Sequence, residues 1–127
     1  MQFRTLKLTS LLTMPISTVL SGSYASGTCT MVRTKAEGGA GKVRLNGNIL
    51  RINAAGNVKL PTVKKCGRGF VLFVFCAHTT GTVQLKDSGG TSIGDALPAG
   101  CFVALLYDIE ADGTEVIAQL PYFAAAS

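Results

Sequence analysis

The sequence predicts an all-β fold, a single antiparallel β-sandwich or barrel of jelly-roll type with an N-terminal arm. Three observations carry this. Apolar residues recur with period two wherever they recur at all, turn signals fall every eight to twelve residues or so, and fifteen of 127 residues are glycine. No window shows the i, i+3, i+4, i+7 recurrence of an amphipathic helix.

Taken in order, Phe3, Thr5 and Lys7 alternate with Arg4, Leu6 and Leu8 as in a strand. Residues 28–34 (TCTMVRT) alternate and are rich in β-branched side chains, the pattern of a half-buried strand. The glycine-rich stretch 37–42 (EGGAGK) divides an arm or first strands, residues 1–41, from a main domain, residues 42–127. Short strands follow at 43–45, 49–52 and 58–60. Asn46 with Gly47, and Gly56 with Asn57, read as turns, since Asn-Gly accepts the positive φ of a type I′ hairpin. Residues 69–77 (GFVLFVFCA) form an unbroken apolar run of strand length, expected to be buried on both faces. Residues 82–86 (TVQLK) alternate, with Val83 and Leu85 inward, and DSGG turns the chain. Residues 101–107 (CFVALLY) form a second run expected to be buried on both faces. EADG then turns into a last strand over 115–120, which Pro121 stops.

The charge is uneven. Residues 1–68 hold eleven of the twelve Lys and Arg against Glu37 alone, +10, while residues 69–127 carry Lys86 against six acids, −5. Charged residues make up 15% of the chain, well below the ~25% of an average domain. That surplus of apolar side chains predicts burial of some surface against other chains. Cys29, Cys66, Cys76 and Cys101 are read as reduced thiols; 127 residues bury a core without disulfides. The start has a basic residue, a diluted apolar stretch from Leu8 to Leu20 and small residues near Ala25. It is read as part of the mature protein rather than as a secretory signal.

Motifs for chemistry fail one by one. KDSGGT has Lys86 where an elbow or protease segment needs glycine, and His78 is the single histidine. EGGAGKVR lacks the first glycine and the hydroxyl of a phosphate loop. Asp108, Glu110 and Asp112 imitate a calcium loop, but Gln119 stands where the bidentate acid belongs. Cys66, Cys76 and His78 lack metal-ligand spacing. KKCGR before Phe70, Phe73 and Phe75 has the ingredients of a single-strand binding sheet, yet these phenylalanines read as core. No catalytic residue, metal site or cofactor is therefore expected, and no enzyme, small-molecule substrate or membrane span.

Residues 57–123 resemble a module of small virion proteins of tailed bacteriophages. The likeness lies in the LP turn at 60–61, GFVLFVF, TVQLKDSGGTSI, LPAG before an apolar strand ending in YD, and DGTEVIAQL. These are turn and strand signatures, similar to capsid decoration (cement) proteins and to head- or tail-fibre domains. The resemblance implies a homotrimer on the surface of a virion made in the host cytoplasm, docked on the major capsid protein. It also implies that Arg4, Lys7, Arg33, Lys35, Lys42, Arg44, Lys64 and Lys65 contact that partner. The alternatives are a fibre or other receptor-binding domain, and a secreted bacterial β-sandwich binding domain.

Overall fold

Side chains that alternate between apolar and polar bury one face of an extended chain, and the computed structural model, which describes residues 15–120, is built almost wholly from such segments. Among the described residues there are ten strands: β1 (Ile16–Val19), β2 (Thr28–Val32), β3 (Lys42–Arg44), β4 (Ile49–Ile52), β5 (Gly56–Lys59), β6 (Val71–Cys76), β7 (Thr82–Lys86), β8 (Leu97–Pro98), β9 (Phe102–Ile109) and β10 (Glu115–Gln119). A first sheet has the order β1-β4-β6-β9-β10 and a second the order β3-β2-β5-β7-β8. The all-β class holds. Each sheet keeps two edge strands, so neither closes into a barrel.

The antiparallel topology is corrected. The pairings β1–β4, β4–β6, β2–β3, β2–β5 and β5–β7 are parallel, and only β6–β9, β9–β10 and β7–β8 are antiparallel. The reason lies in the connections. β1 leads to β2 in the other sheet, β4 to β5 and β5 to β6, so the chain winds between sheets and returns parallel to its earlier pass. A strand of the opposite sheet provides the crossover that these parallel neighbours need, except between β2 and β3, where the segment with the 3₁₀ turn Lys35–Glu37 provides it. Asn46 and Gly47 therefore link strands of different sheets instead of forming a hairpin.

Gly56 and Asn57 are likewise no turn: both lie in β5. A Cβ at Gly56 would stand 2.5 Å from the Tyr24 ring, and its φ of +151° suits glycine. Tyr24 fills that space and donates its hydroxyl to the carbonyl of Ala54 at 2.6 Å. Among the described residues helix is confined to single turns, 3₁₀ at Ser21–Ser23 and Lys35–Glu37 and α1 at Val63–Cys66. α1 follows Pro61, is capped by the Thr62 hydroxyl accepting from Lys65 N, and ends at Gly67 with φ +98°. One turn is too short to show helical periodicity in a sequence.

The inner residues of both sheets meet in one core. Val19, Leu50, Ile52, Leu72, Val74, Val103, Leu105 and Tyr107 from the first sheet join Cys29, Met31, Val58, Val83, Leu85 and Leu97 from the second. Residues 15–41 supply β1 and β2 to this core. Val83 and Leu85 point inward as the alternation predicts. The two apolar runs do not behave as predicted. β6 and β9 are each buried on one face only, with Phe73, Phe75 and Phe102 turned to solvent. No helix among the described residues is long and apolar enough to cross a membrane.

Candidate interaction surfaces

The outer face of the first sheet follows from strand register. Ile16 stands opposite Ile49, Ile49 opposite Phe73, and Phe73 opposite Ala104. Leu120 N donates to the carbonyl of Ala104, which extends the row to the far edge. Beside it runs a second row, Thr18, Arg51, Phe75 and Phe102, and on the other side a third, Val71, Leu106 and Ala118. Side chains at alternate positions share a face, so these three rows form one surface across all five strands.

That surface is apolar and open. Ile16 is 57% exposed, Phe102 48%, Leu120 42%, Phe75 40% and Phe73 37%. Phe73 and Phe102 stack with ring centroids 6.1 Å apart. The one charge within the rows, Arg51, lies 5.9 Å over the Phe75 ring and donates Nε to Asn53 at 3.0 Å. Asp108 sits at the margin, bound to Arg68 at 2.8 Å. That guanidinium, with the backbone N–H of Ile109, holds the Asp108 carboxyl below its usual range. Sequence reasoning missed this surface. In an unbroken apolar run the period of two is invisible, and the only trace of an open face was the shortage of charged residues.

The cations assigned to partner contact divide into groups. Arg4 and Lys7 lie outside the described residues. Lys42 and Arg44 are exposed on β3, an edge of the second sheet, and Lys35 is exposed in the turn before it. Lys65 joins them from α1 through an ion pair with Glu37 at 3.2 Å. Lys64, also exposed, lies on the same helical turn, where its backbone N–H donates to Glu115 at 3.0 Å. Arg33 is turned inward. Its guanidinium donates to the carbonyls of Leu45 (3.0 Å) and Gly47 (2.9 Å) and covers the Phe70 ring at 4.9 Å. Phe70 in turn meets Tyr107 edge-on at 5.3 Å. Arg33 thus ties β2, the β3–β4 link and the core together.

A groove of about 600 Å³ lies where α1, the 87–94 loop and β10 meet, lined among others by Thr62, Ser88, Thr91, Glu115, Ile117 and Gln119. Asp87 shapes its loop by accepting from Gly89 N and Thr91 N, each at 2.9 Å. The acids that imitate a calcium loop serve locally: Asp112 accepts from Thr114 N at 3.0 Å, closing the β9–β10 turn.

The thiols are buried or half-buried and unpaired by disulfides. Burial pushes Cys29 up to about 11 and Cys76 up to about 12, so neither is a thiolate near neutrality. His78 is buried, with Nε2 3.1 Å from the carbonyl of Gly81. Among the described residues no three His, Cys, Asp or Glu side chains form a group able to hold a metal. Comparison with family models, with curated proteins and with solved structures returns no match.

Proposed function

We propose that this chain is a structural subunit of a virion, a capsid decoration protein that stabilises a phage head by associating with its own copies as a homotrimer and docking on the major capsid protein. The observation that carries the reading is the apolar outer face of the first sheet, five strands wide. Soluble monomers rarely leave a contiguous face of this kind open, and holding a shell together requires buried area repeated over many contacts. The finer architecture proposed is a two-layer sandwich, which the single core shared by both sheets supports. The phage likeness of residues 57–123 supports the virion setting.

The cations of the β3 edge, Lys35, Lys42 and Arg44, with Lys65 tied to the preceding turn through Glu37, suit an acidic shell. The test is co-sedimentation of the purified protein with expanded capsids at low and at high salt. Saturable binding that weakens as salt rises is the expected result, because exposed ion pairs are screened. No binding to capsids at either ionic strength rejects the reading.

A second reading, a fibre-type receptor-binding domain, is favoured by the groove beside β10, whose hydroxyls and carboxylates suit a glycan. It predicts glycan binding that is lost in Ser88→Ala/Thr91→Val and unaffected by removing the cations of the β3 edge. A glycan screen without a hit rejects it.

A further inference from the structure

The occupant of the apolar face can be chosen from its chemistry. We infer that it is a second copy of this chain, so that copies associate through the first sheet while the shell is held elsewhere, by the cationic edge. This rests on the assembly reading above and names the partner of that surface.

Charge is the first reason. The chain carries +5, yet between its edges the face holds only Arg51, already spread over Phe75 and bonded to Asn53. An acidic partner would find no array of cations here, and its own charges would be buried unpaired at considerable cost. A surface equally poor in charge meets neither penalty, and the same face on another copy is such a surface.

Extent is the second reason. At ~150–250 Å² per fully exposed aromatic ring, the three outward phenylalanines alone present roughly 250 Å². Ile16, Leu120 and the half-buried Ile49, Val71 and Leu106 add to this. Together they make one contiguous patch of several hundred Å², the size at which an exposed apolar surface marks a site of association.

The experiment uses the full chain with Phe73→Glu and, separately, Phe102→Glu, read by sedimentation velocity and by capsid co-sedimentation. The expected result is that the wild type sediments as an oligomer. Each variant falls to the mass of one chain, with association weakened at least 100-fold, and keeps its circular dichroism and its salt-sensitive contact with capsids. Should the wild type sediment as one chain while Phe73→Glu abolishes capsid binding, the shell occupies the face; the inference and the homotrimer fall, while docking of the chain on the shell stands. An oligomer that both variants leave intact also overturns the inference. A wild type that neither associates nor binds capsids removes the assembly reading itself. Hydroxyl-radical footprinting of the unmodified protein guards against misfolded variants. Phe73, Phe75 and Phe102 are expected to be oxidised less at high than at low protein concentration, and equal oxidation at both overturns the proposal.

Discussion

Arg33 shows how far a residue's type can mislead about its work. By charge it belongs with the cations of the basic half, but its guanidinium satisfies two carbonyls and packs on Phe70. Replacing it leaves Leu45 O and Gly47 O without their donor in a half-buried site. Hydrogen bonds from a charged donor contribute about 1.5–3 kcal/mol each. Arg33→Met is expected to lower stability by about 2–4 kcal/mol in urea unfolding, whereas Arg44→Met, exposed on an edge strand, changes it by under about 0.5 kcal/mol. Equal effects would refute the assignment.

The thiols give a second residue-scale prediction. In the folded protein Cys29 and Cys76 stay protonated to about 11 and about 12, against an ordinary value of 9.0. The unfolded chain releases those protons from about pH 9 upward, so rising pH draws the equilibrium towards unfolding. Their contribution is whole below that point and is lost as pH climbs through the folded values. Thermal midpoints in reducing buffer should therefore fall between about pH 9 and 11, and fall less steeply in a Cys29→Ala/Cys76→Ala variant. A decline of unchanged steepness would contradict this.

At the scale of elements, β6 is the most informative. Its residues alternate between a core side, Leu72, Val74 and Cys76, and an outer side, Val71, Phe73 and Phe75. Leu72→Ala should cost about 2–5 kcal/mol through the cavity it leaves. Phe73→Ser, measured at a dilution where copies separate, should cost under about 1 kcal/mol, because its ring already meets water. Chemical denaturation of both variants checks the pair, and a Phe73→Ser cost as large as that of Leu72→Ala would place Phe73 in the core. The strand was legible in the sequence from its length and its β-branched and aromatic residues, and TVQLK was legible down to which side chains point inward. Its open face was not, because an apolar residue looks the same in a core and in an interface. Gly56 and Asn57 misled as a turn because they lie within β5, and Asn46 and Gly47 report only that the chain changes direction. Which sheet receives it depends on packing at long range, and so the parallel pairings went unread. The gathering of Lys65 with the β3 edge through Glu37 was equally hidden, since its partners lie 28 residues apart in sequence.

For the whole molecule, two mixed sheets share one core and divide their surfaces by chemistry. One face of the first sheet is apolar and nearly free of charge, while an edge of the second is cationic. Such a division fits a subunit that meets its own kind on one side and a different partner on another. Native mass spectrometry of the unmodified chain at micromolar concentration tests this most directly. The account predicts a dominant species at three times the 13.2 kDa chain mass, giving way to single chains only on strong dilution. A lone 13.2 kDa species across the whole concentration range would contradict it.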